Sequence, residues 1–233
     1  MRKILITTAA LLAALSLRAQ EPASSYSITT DFTYVSEYIF RGVKQQNNAF
    51  QPSVSLAAGS FAGGLWTSQA LDQKAASWAQ GSEVDAFGSY SFSLSEDWSV
   101  APGFTYYLYP SARPSLGELD KTFELSLGVS GPIGPLSSYA TYFHDFDLDS
   151  DTIEVGLGYS TSLSEKATFD LGVTYGAARF DAGGDYDYFA AKLTLSFKLT
   201  ASASLKVGAY WADSDITGLG SNTWFSVGVS TGL

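Results

Sequence analysis

Few residues in this 233-residue chain are equipped for covalent or metal chemistry. There is one histidine, His144, followed directly by Asp145, and there is no cysteine. Nucleophilic catalysis needs a nucleophile, a base within reach and a third group that orients the base. His144 could be that base, yet nothing around it in sequence supplies a catalytic signature. A histidine beside an aspartate at a loop edge reads as a solvated polar pair, so the chain is expected not to be an enzyme. A second cluster is Asp145, Asp147, Asp149 and Asp151, four carboxylates at alternate positions. Oxygen-rich loops suit Ca²⁺, but the sixth position of the run is Ser150 where an EF-hand has glycine, and the twelfth is Gly156 where it has glutamate. The run reads as a solvated acidic external loop, with a weak divalent contact to lipopolysaccharide phosphates as the chemistry open to it. Without cysteine there is no thiolate zinc or iron–sulfur site, and no cofactor is expected.

The third set is larger: Asp31, Glu37, Arg41, Glu83, Asp85, Glu124, Glu154, Asp170, Lys192 and Lys206. Each stands on the polar side of a segment whose apolar residues recur every second position, which is the period of a strand. In residues 27–41, Ile28, Phe32, Tyr34, Tyr38 and Phe40 share one face, and Asp31, Glu37 and Arg41 share the other. On a strand Glu37 and Arg41 lie ~13 Å apart, too far to pair with each other, so their partners are expected across strands, with Arg41 near the outer mouth. Phe123, Leu125, Leu127 and Val129 alternate with Glu124, Ser126 and Gly128, and Ile153, Val155, Leu157 and Tyr159 alternate with Glu154, Gly156 and Gly158. The same pattern recurs along the chain to Phe225–Leu233 and is least clean in residues 62–71 and 136–146. It predicts twelve strands of about ten residues, the length a tilted membrane strand needs, in the even number expected of an outer-membrane barrel. Connectors after even strands are short, such as Gly59-Ser60 and Ser95-Glu96-Asp97. Those after odd strands are mostly longer: 42–49, 72–81, 110–120, 147–151, 181–185 and 213–221. Short turns on the periplasmic side and long loops outside are the connectivity of a membrane barrel.

The faces decide between this barrel and a soluble sandwich. Only 15% of the residues are charged, whereas the outer face of a soluble sheet should be rich in charge. One face is nearly pure Leu, Val, Ile and aromatic; the other is Gly, Ser, Thr and scattered charges. A charge in hydrocarbon is costly, so the ten charged positions belong in the lumen. Tyr34, Tyr38, Phe40, Phe50, Tyr106, Tyr175 and Trp211 near the long loops, with Trp98, Tyr159 and Phe197 near the short turns, suit aromatic girdles. The inward glycines, among them Gly156, Gly158, Gly172, Gly176, Gly208 and Gly228, suggest free space rather than a packed core. Arg2 and Lys3 precede an apolar run from Ile4 to Leu17, and Leu17-Arg18-Ala19 offers a small residue for cleavage. Residues 1–19 therefore read as a secretory signal peptide and 20–233 as the barrel. Losing Arg2, Lys3 and Arg18 leaves ten bases against 23 acids, a net charge of −13. Such a surface excludes nucleic acid as a partner.

A family resemblance rests on ordered motifs. Tyr38-Ile-Phe-Arg-Gly-Val43, Pro52 and Phe61-Ala-Gly-Gly-Leu-Trp66 open the pattern. Glu83-Val-Asp85, Thr105-Tyr-Tyr-Leu-Tyr-Pro110, Phe123-Glu124-Leu125 and Val207-Gly-Ala-Tyr-Trp-Ala-Asp-Ser-Asp215 follow in turn. The set resembles the TorF-type porin family, also catalogued as the Gcw_chp conserved hypothetical proteins, and the resemblance implies an outer-membrane barrel with a pore. The expectation is an all-β, 12-stranded antiparallel transmembrane β-barrel of up-and-down topology in the cell outer membrane. It would pass small hydrophilic solutes, with cations preferred by the acidic lumen. A closed structural barrel is the alternative, and a lipid-modifying enzyme a more remote one. Expected partners are outer-membrane lipids, lipopolysaccharide and, during insertion, the barrel-assembly machinery, which the apolar C-terminal strand would engage.

Overall fold

The computed structural model describes residues 26–72 and 81–233. The signal-peptide segment, residues 1–19, lies outside them. The described chain is almost wholly β: β1 (Tyr26–Val35), β2 (Tyr38–Phe40), β3 (Val43–Gln46), β4 (Ala49–Ala58), β5 (Phe61–Ala70), β6 (Glu83–Tyr90), β7 (Phe92–Ser93) and β8 (Ser99–Leu108). Then follow β9 (Lys121–Ile133), β10 (Leu136–Asp145), β11 (Ser150–Ser162), β12 (Ala167–Phe180), β13 (Tyr186–Lys198), β14 (Ala203–Ser214) and β15 (Asn222–Gly232). The two residues of β7 continue β6 along the edge of β8. Each barrel strand pairs antiparallel with the next, and β1 closes the ring on β15, with Asp31 opposite Ser230 and Val35 opposite Ser226. Closure gives twelve strands with no free edge.

The alternation read from the sequence sorts the faces. Phe32, Leu65, Leu127, Ile153, Phe189 and Phe225 point outward and are more than half exposed. Asp31, Glu83, Asp85, Glu124 and Glu154 point inward and are buried. The least regular segment, β10, carries Tyr139, Thr141 and Phe143 on the inner face. The turns at one end are tight, as at Gly59 (φ 60°) and Gly134 (φ 59°), and most connections at the other end are longer.

Two expectations change. The first strand ends at Val35, not at Arg41, and residues 42–49 are not an external loop. The chain bends at Ser36-Glu37 and forms a second, two-stranded sheet, β2–β3, that folds into the barrel. Tyr38 and Phe40 accordingly leave the outer girdle for the interior, where Tyr38 packs on Trp66 (ring centroids 5.4 Å) and Phe40 on Tyr107 (6.1 Å). The glycines, too, do not simply leave space. A Cβ on Gly156 would stand 2.4 Å from Tyr139, one on Gly176 2.1 Å from Tyr188, and one on Gly208 2.3 Å from Tyr210. Three tyrosines lie flat against the wall over glycines, so the missing side chains are covered by neighbouring rings.

Candidate functional site

The inward hairpin builds the site. Its sequence, Phe40-Arg41-Gly42-Val43, makes a two-residue loop in which Phe40 pairs with Val43. Both loop residues have positive φ, Arg41 at 48° and Gly42 at 77°. Turns of that kind match the twist of a tight hairpin and favour glycine. At Gly42 there is a second reason for glycine, since a Cβ there would lie 2.7 Å from Cβ of Tyr188 and 3.3 Å from Cβ of Ser214. The hairpin leaves the wall between β1 and β4; Gly42 at its tip lies against β13 and β14, and Arg41 reaches β9 and β11 across the lumen.

Arg41 is in an uncommon backbone conformation for a non-glycine residue, and its side chain is correspondingly well held. Nη1 donates to Glu124 Oε2 (2.7 Å) and Nη2 to Glu124 Oε1 (3.0 Å), a two-pronged pair with β9. Nε lies 3.9 Å from Glu154 Oε1 on β11. The guanidinium carbon sits 4.5 Å from the Phe143 ring centroid and 4.8 Å from that of Phe40. Bidentate geometry and stacking on aromatic faces are what a guanidinium does and an ammonium does not. Tyr107 Oη donates to Glu124 Oε1 (3.1 Å), and Tyr188 Oη donates to Glu154, so both acids are held from two sides. The hairpin root is fixed as well. Gln46 donates to the carbonyl of Gly81, Ser68 Oγ donates to Gln46 Oε1 (2.7 Å), and Lys44 pairs with Glu37 across the hairpin (2.6 Å).

Of the ten charged positions, six gather around the hairpin: Glu37 and Arg41 on it, Glu124 and Glu154 at its tip, and Glu83 and Asp85 on β6 beneath it. The other four line the lumen elsewhere. Lys206 Nζ donates to Asp31 Oδ1 (3.1 Å), and Lys192 has Asp170 as its electrostatic neighbour. Arg41 and Glu37 do not pair with each other, and Arg41 does stand toward the outer mouth, since Glu124 and Glu154 lie close to the long-loop ends of β9 and β11; but it bridges the lumen there as a bolt rather than lining the rim. Sequence alternation could not reveal this, because a short inward hairpin alternates like the strand it continues. The signal that could have found it is Arg-Gly flanked by apolar residues, a tight-turn dipeptide inside an apparent strand.

His144 is partnered differently from expectation. His144 does not act with Asp145. Its Nδ1 lies 2.9 Å from Asp151 Oδ1, which also accepts from Tyr142 Oη, all three being on the outward face. Asp145 turns inward and caps the backbone N–H groups of Asp147 and Leu148 (3.0 and 2.9 Å). Asp147 accepts from the N–H of Phe123 (2.8 Å). The four aspartates therefore diverge, and no three His, Asp or Glu side chains among the described residues converge as a metal cluster. No serine hydroxyl is hydrogen-bonded to His144 among the described residues. One Gly-x-Ser-x-Gly spacing does occur, at Gly228–Gly232, but it lies inside β15 with Ser230 opposite Asp31, not on a strand-to-helix turn.

Comparison with known proteins agrees with this architecture. Residues 19–217 match a family model described as a bacterial protein of unknown function (Gcw_chp). The fold is similar to that of the KdgM porin (TM-score 0.58, 15% identity, 88% of this chain and 98% of that chain). It is also similar to the NanC porin (TM-score 0.57, 13% identity, 88% and 98%). A COG4313 outer membrane channel from Pseudomonas putida F1 follows at TM-score 0.51, with 8% identity over 92% and 97%. One structure of the KdgM porin is described as a complex with disordered oligogalacturonate. No curated protein matches the sequence.

Proposed function

The chain belongs to the Gcw_chp family, and we propose that it is an outer-membrane channel for small hydrophilic solutes, narrowed by the β2–β3 hairpin and preferring cations. The observation that carries this reading is the division of the barrel wall. Leu, Val, Ile and Phe cover the outside, while Glu, Asp, Lys, Ser, Thr and Tyr line the inside. Such a wall suits lipid outside and a polar path inside. Of the ten charged positions seven are acidic, and Arg41, the base nearest the constriction, is already paired with Glu124. An inner face with more acids than bases favours cations. The KdgM porin's oligogalacturonate is a polyanion, so the solute preference here runs opposite to that ligand. On this reading residues 1–19 act as a cleaved leader. The outward face meets membrane lipid and lipopolysaccharide, and assembly machinery receives the last strand.

The closed barrel remains a second reading because the same hairpin bridges the lumen. Single-channel recording of the refolded protein in a planar bilayer, under a KCl gradient, separates the two. Stable steps with a cation-selective reversal potential support the channel. Anion selectivity would keep the pore and overturn the charge argument, and silence from a folded barrel would leave the closed barrel.

A further inference from the structure

Under the hairpin lies a pair of acids that no cation among the described residues neutralises. Glu83 and Asp85 stand two residues apart on the inner face of β6, so their Cα atoms are about 7 Å apart and their carboxylates share one side of the sheet. Glu83 is 5% exposed and Asp85 1%. Neither takes part in an ion pair among the described residues, whose ion pairs join other groups. Glu83 is hydrogen-bonded by the Tyr38 hydroxyl of the hairpin. Among the described residues neither oxygen of Asp85 has a hydrogen-bond partner. Burying an ionised carboxylate with nothing attached costs several kcal/mol even after relaxation. Arg41, the neighbouring base, is engaged by Glu124 and Glu154. Around Asp85 stand further oxygens: Tyr107, opposite it on β8, Tyr109, and Glu124 on β9.

We propose that Glu83 and Asp85 form a Ca²⁺ site that seats the hairpin. Two carboxylates offer four hard oxygen donors and two negative charges, and the tyrosine hydroxyls of Tyr38 and Tyr109 border them. Ca²⁺ accepts irregular oxygen shells and gives up its water readily, whereas Mg²⁺ demands an octahedron and keeps several waters. Two carboxylates on one side of a strand with hydroxyls around them make an irregular oxygen shell and no octahedron, which selects Ca²⁺. The cation draws Glu83 and its partner Tyr38 together, and Tyr38 is packed on Trp66 at the root of the hairpin. This inference stands on the barrel and the hairpin and holds whether or not the pore conducts.

The full chain, folded in detergent, is titrated with Tb³⁺ as a luminescent substitute for Ca²⁺, read through energy transfer from the surrounding tyrosines and Trp66. The expected result is one saturable site that Ca²⁺ displaces more readily than Mg²⁺. In Asp85→Asn and Glu83→Gln affinity falls at least about tenfold, as loss of a ligand does, while Asp170→Asn, elsewhere in the lumen, binds like the parent. Ca²⁺ also raises the unfolding temperature of the parent and not of Asp85→Asn. If Asp85→Asn binds Tb³⁺ like the parent, or no saturable phase exists, the proposal fails. It fails equally if Asp85→Asn is more stable and Ca²⁺ changes nothing, because the carboxyl is then held neutral by a proton.

Discussion

At the residue scale the molecule turns on Arg41. Its backbone is in the left-handed region, its guanidinium faces two acids and two rings, and its neighbour Gly42 is required both by φ and by the closeness of Tyr188. Removing one partner of a buried ion pair costs ~3–5 kcal/mol, because the survivor stays buried and unpaired. Arg41→Ala is expected to lose stability in that range in urea unfolding and to raise single-channel conductance. Arg41→Lys restores the charge but not the two-pronged bond to Glu124, so its conductance and stability should fall between those of Arg41→Ala and the parent. Equal conductance in all three proteins would remove the bolt from the account of the pore.

At the scale of elements, the β2–β3 hairpin and the barrel are separable. The barrel closes through β1–β15 and β6–β8 pairing, none of which uses the hairpin. The hairpin adds a satellite core of Val35, Tyr38, Ala49 and Trp66 at its root. Replacing residues 37–47 with a short Asn-Gly turn should therefore keep the β-sheet circular dichroism signal and the heat-dependent shift in gel mobility. The same protein should conduct several-fold more, as a channel freed of its constriction. Loss of the folded barrel in this variant would mean that the hairpin organises the wall rather than merely spanning it. The tyrosines over Gly156, Gly176 and Gly208 belong to this scale too, because each covers wall on the strand beside its own or, for Tyr210, on its own strand.

For the whole molecule, the decisive property is which face meets which solvent. Leu127 is 52% exposed on the outside, and Thr174 faces inward, hydrogen-bonded to Tyr139. Arginine at a lipid-facing mid-membrane position costs ~2–4 kcal/mol in a membrane barrel. Leu127→Arg should show such a loss when unfolding is followed in phospholipid bilayers. Thr174→Arg should cost less and should shift the reversal potential toward anions. A soluble protein would show no penalty for Leu127→Arg, so the pair of variants also tests the membrane reading itself.

Strand number, closure and facing were legible in the sequence, because a period of two is a purely local property and one apolar face repeats it through most strands from Tyr26 to Gly232, least cleanly in β5 and β10. Connector lengths then allowed only neighbouring antiparallel pairs. The bolt was not legible. Residues 38–46 alternate like a strand, and the direction in which a short hairpin folds depends on what awaits it across the lumen: Glu124, Glu154, Phe143 and the gap over Gly42. Those residues are more than 80 positions away from Arg41 in the chain. The partner of His144 was hidden for the same reason, since antiparallel register, not adjacency, sets Asp151 opposite it and turns Asp145 to the other face. Local pattern determined which side of the wall the residues of the barrel strands take, and the closed ring alone decided where the hairpin goes and which residues meet across it.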